Sequence, residues 1–136
     1  MTSFYVSTDR SRLDVGMIHA YLSQRSYWAQ NRTRAQVETS MAHSLCFGAY
    51  QDERQVGFAR VVTDYAVFAW LADVFVLEDV RGQGVGKLLV RSIVEHPELQ
   101  LVKRWMLATK DAHDLYRQHG FQEVHDPALL MERMRS

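Results

Sequence analysis

The stretch "VFVLEDVRGQGVGKLL", residues 74–89, decides how the chain folds. It passes from a strand-like apolar run, through Glu78, Asp79 and Arg81, to Gly82, Gly84 and Gly86 at every second position. Glycine in such a row is locally unfavourable unless the backbone turns sharply or comes close to something. Upstream, "AWLADVFVL" (69–77) predicts a long strand. Downstream, Val85, Leu88, Leu89 and Ile93 recur at helical spacing until Pro97 closes the segment. A strand, a glycine turn and a helix N-terminus together form an anion site. Main-chain N–H groups converge in the turn, and the helix dipole adds roughly half a positive charge at that end. A diphosphate is the natural guest.

Outward from this unit, "FYVS" (4–7) reads as a short strand. Leu13, Met17, Ala20 and Tyr21 predict a helix within residues 10–24. "SYWAQNR" (26–32) is an aromatic and polar connector, and Thr33 suits the cap of a second helix running to about 42. "SLCFGAYQ" and "RQVGFARVV" flank Asp52-Glu53 as a hairpin. "RWMLAT" (104–109) predicts a strand. Asp111 suits a helix N-cap, Gly120 the left-handed position that ends that helix, and "LLMERM" (129–134) a last strand. The order predicts an α/β (α+β) domain with a mixed sheet, in which an antiparallel hairpin precedes a parallel crossover.

The 136 residues fit one domain, residues 1–136, with no linker or repeat to divide them. Lys+Arg and Asp+Glu balance at 16 each, which argues against a nucleic-acid partner. Thirteen of the cations are Arg, the better residue for a forked grip on phosphate or carboxylate. A single cysteine, Cys46, excludes an intrachain disulfide and reads as a buried thiol. No stretch approaches the ~20 apolar residues of a spanning helix, and nothing at the N-terminus reads as a signal peptide. The expectation is a soluble cytoplasmic protein without a membrane partner. His113, His119 and His125 fall six apart with no cysteine cluster, which is not ligand spacing, so no metal is expected.

Three motifs compete for the glycine letters. A Walker A loop fails, because residue 81 is Arg rather than Gly and residue 88 is Leu rather than Ser or Thr. A dinucleotide fingerprint fails at Lys87 and would open a parallel sheet rather than follow three strands. Arg81-Gly82-Gln83-Gly84-Val85-Gly86 fits Arg/Gln-x-x-Gly-x-Gly/Ala, and Tyr116-Arg117-Gln118-His119-Gly120-Phe121 fits Tyr-x-x-x-Gly-Phe some thirty residues later. On these two motifs, with a strand between them, the chain resembles the GNAT N-acetyltransferase family. Glu78 stands where that family often has Pro, and Thr109 where it often has Asn.

The resemblance implies an acyl-CoA N-acyltransferase fold: a sheet of six or seven strands, about four flanking helices, and a V-shaped cleft where two central strands splay. It implies acetyl-CoA as co-substrate and a small-molecule amine as acceptor. A protein lysine or N-terminus is the alternative acceptor, and a non-catalytic acyl-CoA-binding regulator the alternative class. The pantetheine arm would pair with the free strand edge at Phe75 and Val76, where an N–H could also hold the thioester carbonyl. Gly82, Gln83, Gly84, Val85, Gly86 and Lys87 would hold the pyrophosphate through main-chain amides, with Arg81 and Lys87 adding charge. Tyr116 is the acid candidate, because a phenol and a thiol have comparable pKa values of roughly 10 and 8.5. Asp73, an acid within an apolar strand, is either paired with an arginine or poised as the base. Glu78, Asp64 and a water are the other base candidates. Tyr27 and Trp28 form a candidate aromatic wall for the acceptor, and Arg25 or Arg32 a candidate grip on its carboxylate or phosphate. The apolar C-terminal run is a candidate homodimer surface.

Overall fold

In the computed structural model, which describes residues 3–135, five strands form one sheet in chain order. They are β1 (Phe4–Ser7), β2 (Leu45–Gln51), β3 (Arg54–Thr63), β4 (Phe68–Val76) and β5 (Arg104–Met106). The first four pair antiparallel, and β5 joins β4 in parallel after a crossover through α3 (Val85–Val94). The remaining helices are α1 (Val15–Arg25), α2 (Arg34–Ala42) and α4 (His113–Arg117).

Local chemistry sets the ends of these elements. Asp14 Oδ1 accepts the Met17 N–H at the start of α1. Thr33 and Gln36 form a reciprocal capping box at the start of α2, worth about 1 kcal/mol. Asp52 takes a positive φ in the two-residue β2–β3 turn. Asp64 Oδ1 accepts N–H groups from Ala66, Val67 and Phe68, which builds the β3–β4 turn and identifies Asp64 as a turn residue.

The two faces of the sheet are covered by different helices. Phe75 stacks on Tyr21 of α1, with ring centroids 4.0 Å apart and 9° between planes. On the opposite face α3 buries Val85, Leu89, Val90 and Ile93, each contributing about 1.5–3 kcal/mol. Gly57 of β3 lets α3 lie close. A Cβ there would come within 3.1 Å of the Phe75 carbonyl oxygen and 3.2 Å of the fully buried Leu89 side chain.

The sheet has five strands, not six or seven. β5 ends at Met106, so residues 107–109 of the predicted strand are not paired. The reason lies in β4, where Phe58 faces Phe75 but Arg60 faces Ala72. One extra residue therefore sits in β4 around Asp73 and Val74, and Asp73 adopts a φ of 54° to make this bulge. The β4–β5 ladder runs only from Phe68↔Arg104 to Trp70↔Met106. Beyond it the two chains part, and the expected V-shaped cleft opens. Residues 129–134 form no strand either. A short 3-10 turn covers Pro127–Leu129, and Met131 is 97% exposed. An alternating apolar pattern becomes a strand only where an edge offers a ladder. The turn before α4 is held by Thr109 Oγ1, which accepts the Ala112 N–H, so Asp111 is not the cap expected there. Gly120 does take the left-handed conformation, with a φ of 90°.

Replacing Gly57 by Val should force α3 away from the sheet and destabilise the domain by about 1–3 kcal/mol in chemical denaturation. A stability equal to wild type would show that the helix–sheet approach has slack there.

Candidate active site

The turn between β4 and α3 leaves main-chain donors without side-chain partners. Gly82 and Gly84 hold φ values of 80° and 85°, a region that side-chain-bearing residues avoid, and open space surrounds both. Gly84 is the N-cap of α3 and supplies no side-chain acceptor. The first intrahelical bond is Leu88 N–H to the Gly84 carbonyl, so the N–H groups of Val85, Gly86 and Lys87 have no partner within the helix. Side chains cap α1 and α2, whereas the start of α3 is bare at an exposed turn. Gly86 lies against Leu115 and Val76, the close approach of α3 to α4 and β4. Val85 is buried, and Gln83 and Lys87 are exposed.

The free edge of β4 leads to this turn. Leu77 N–H bonds to the Val56 carbonyl, so Leu77 turns its amide toward β3. In an antiparallel ladder that orientation alternates. Phe75 therefore also addresses β3, and the amide of Val76 faces the open side; Val74 lies next to it at the bulge. Of the two residues expected to offer main-chain contacts, Val76 turns its amide to the open side and Phe75 turns its amide toward β3. Arg81 reaches back along this edge. Its Nε donates to the Val76 carbonyl at 3.1 Å and its Nη2 to the Tyr21 hydroxyl at 2.6 Å. The Arg81 side chain thus ties the turn to β4 and α1 instead of extending freely from the loop.

The bulge presents Asp73 to the connector between α1 and α2. Asp73 Oδ2 accepts from Arg60 Nε at 2.6 Å and from Arg32 Nη1 at 2.8 Å, and Oδ1 accepts from Trp28 Nε1 at 2.8 Å. The Asp73 side chain is 2% exposed, against 15% for Arg60 and 24% for Arg32. Burial opposes its charge, but the hydrogen bond and positive charge of Arg60, with Arg32 and Trp28, hold its pKa below the ordinary carboxylate value. A carboxylate in that state is a weak base, and its oxygens are already occupied by donors. Of the other base candidates, Glu78 pairs with Arg25 at 3.4 Å on the surface and Asp64 sits in its turn.

Beside this cluster lies a cavity of about 530 Å³, reached by Tyr27, Trp28, Arg32, Asp73 and Tyr116. Tyr27 packs edge-on to Trp28, and its hydroxyl accepts the Lys110 N–H at 2.8 Å. The tertiary fold thus gathers all three candidate acceptor residues, from the connector, with both candidate catalytic residues. Arg25, the alternative anion grip, lies over Tyr21 near Glu78 and does not border the cavity. Tyr116 also borders a second, more apolar cavity of about 370 Å³ against Trp105 and Phe121. Its ring is buried and packs at 68° on Phe121. Burial, with Asp111 and Tyr27 nearby, pushes the phenol up to about 12.

Sequence reading missed Arg60, Trp70 and Val74. Arg60 left a signal, as a cation within the apolar run "VGFARVV", facing the strand that holds the buried acid. Trp70 reads only as part of the strand 69–77, and Val74 lies at the bulge, which no local pattern reports.

Comparison with known proteins shows the family. A family model described as an acetyltransferase (GNAT) domain matches residues 42–123, more than half of the chain. A crystal structure of a Xanthomonas campestris protein described as belonging to the GNAT family is 50% identical, with a TM-score of 0.95 over 99% of this chain and 95% of that one. A Gibberella zeae protein carrying an acetyltransferase name is 29% identical, covering 83% of this chain and 75% of its own length. A Mycobacterium tuberculosis protein crystallised in complex with CoA shares the fold at 16% identity and a TM-score of 0.73, over 89% of this chain and 73% of that one.

Replacing Asp73 by Asn should leave two guanidinium groups facing each other without a counter-charge and destabilise the fold by about 3–5 kcal/mol. A carboxyl whose pKa is lower folded than unfolded stabilises at pH above its unfolded value of about 4, and loses that contribution as pH falls through the folded one. Denaturation midpoints below pH 4 should therefore decline less steeply in Asp73→Asn than in wild type. Equal slopes would remove Asp73 from the acid sensitivity.

Proposed function

The chain belongs to the GNAT acetyltransferase family, and on that premise we propose that it transfers an acetyl group from acetyl-CoA directly to a primary amine of a small metabolite within one ternary complex. The observation that carries this reading is the bare N-terminus of α3 beneath two left-handed glycines, at the end of an unpaired strand edge that leads to Tyr116. The amides of residues 82–87 would hold the pyrophosphate, and the exposed Lys87 side chain would add charge. The amide of Val76 on the free edge would pair with the pantetheine arm as an added strand, and one N–H of this edge would hold the thioester carbonyl. Acetyl-CoA supplies an activated acyl group.

In the transfer, the amine nitrogen bonds to the acyl carbon, the carbon–sulfur bond breaks, and a proton is needed at the sulfur. Tyr116 remains protonated at every working pH, because its phenol lies near 12. It therefore donates a hydrogen bond to the sulfur as negative charge develops there, and is never a base. Asp73 acts through position, holding the bulge and the connector, while a water relay carries the proton released by the amine to the departing thiolate, which leaves as the thiol. The small-metabolite reading is supported by the cavity of about 530 Å³ walled with Tyr27, Trp28 and Trp70, a size that suits a small molecule.

Tyr116→Phe should lower kcat by about a hundredfold or more, with acetyl-CoA affinity within about twofold of wild type by calorimetry. Unchanged kcat in a thiol-release assay over a panel of amines would exclude the role. Tight acetyl-CoA binding with no turnover of any amine would favour the regulatory alternative.

The turn is tested by a pair of substitutions. Gly84→Ala strains the backbone by about 1–2 kcal/mol and should reduce stability with a modest loss of affinity. Gly84→Asp adds a negative charge and should abolish acetyl-CoA binding. Equal affinities in the two variants would show that no phosphate sits there.

A further inference from the structure

The cavity beside Asp73 is electrically lopsided. Arg32 and Arg60 both point at one carboxylate oxygen of Asp73, so two positive charges meet one negative charge in a partly buried site. Arg60 is also bound through Nη1 to Ser44 Oγ at 3.1 Å, and it is the more buried of the two. Arg32 gives Asp73 only Nη1. Its Nε and Nη2 make no hydrogen bond among the described residues, and its guanidinium borders the cavity. The backbone carrying Arg32 is pinned, because His19 Nε2 lies 3.0 Å from the Arg32 carbonyl oxygen and Thr33 begins the α2 capping box. This is a preorganised cation with donors in reserve, which is what a carboxylate or phosphate oxygen requires.

A carboxylate also lines the cavity, with the Lys110 ammonium 5.4 Å from the ring centroid of the lining residue Tyr27. Asp111 borders the cavity beside Tyr116, close enough to help keep the Tyr116 proton in place. The spare donors of Arg32, in the same cavity as Tyr116, suit an acceptor that carries a negative group besides its amine.

We propose that the acceptor amine also carries an anionic group, carboxylate or phosphate, and that Arg32 binds it and thereby sets acceptor specificity. This deepens the acetyltransferase reading and rests on it. Asp73 would then hold Arg32 in place while leaving part of its charge uncompensated for the acceptor.

Matched pairs of amines test this: phenylalanine against phenethylamine for a carboxylate, and glucosamine 6-phosphate against glucosamine for a phosphate. In one of the pairs the anionic member should show a kcat/KM about ten- to a hundredfold higher, the difference that a charge-assisted contact makes. Which pair responds identifies the anion. In Arg32→Gln that ratio should fall toward one. Arg32→Lys keeps a charge for Asp73 but loses the planar fork, and should give a ratio between the two. It serves in place of Arg32→Gln if that variant does not fold, as judged by acetyl-CoA calorimetry. Ratios near one in both pairs for the wild type, or a wild-type ratio in Arg32→Lys, would overturn the Arg32 subsite and leave the transferase reading standing. Acetylation of none of the four amines despite bound acetyl-CoA would overturn both.

Discussion

The ion cluster at Asp73 is the constraint on which the site depends. An aspartate with positive φ in the middle of a central strand is costly twice over, once for the backbone and once for the buried charge. It persists because Arg60 from the neighbouring strand, and Arg32 and Trp28 from the α1–α2 connector, all donate to it. Those donors turn an unfavourable residue into a fixed point. The bulge they stabilise adds one residue to β4, ends its pairing with β5 after three residues, and opens the cleft. The same contacts bring Trp28 and Arg32 to the wall of that cleft. Strand geometry and the wall of the cavity are therefore products of one electrostatic arrangement.

A second imbalance complements the first. At the far end of the same strand edge, α3 begins without a side-chain cap, and the donors of its first turn face solvent through two left-handed glycines. A protein leaves such groups unsatisfied where a ligand can satisfy them. Arg81 braces the turn by bonding to the last outward carbonyl of β4 and to Tyr21, whose ring lies flat on Phe75. The turn is thereby coupled to the layer containing α1, although it opens onto the face covered by α3. Acetyl transfer needs these two places, one rich in donors and one holding Tyr116, to be joined by an edge that can accept an extended chain.

Much of this was legible in the chain itself. Strand, glycine turn and amphipathic helix follow from periodicity and from the φ angles that only glycine adopts readily, and both were read at residues 74–89. Thr33 as a cap, Asp52-Glu53 as a turn and Gly120 as a left-handed terminator are local effects, decided within four residues of each position. The errors have a common origin. The length of β5 and the fate of residues 129–134 depend on whether another strand lies alongside, and no local pattern reports that. Asp73 was recognised as unusual, but an acid in an apolar run reads equally as a base or as an ion-pair partner. Arg60 lies thirteen residues away, and only strand pairing brings the two together.

By itself, then, the sequence determined the order of elements from β1 to α4, the glycine turn before α3 and the identity of Tyr116 as the residue to examine, because each is encoded in backbone propensity and short-range spacing. Only the tertiary structure decided that Asp73 is held by two arginines, that the Phe75 amide turns toward β3 and not the open edge, and that Arg32 rather than Arg25 reaches the cavity. The physical reason is that charge pairing and amide direction are properties of neighbours across strands and connectors, and those neighbours exist only once the chain has folded.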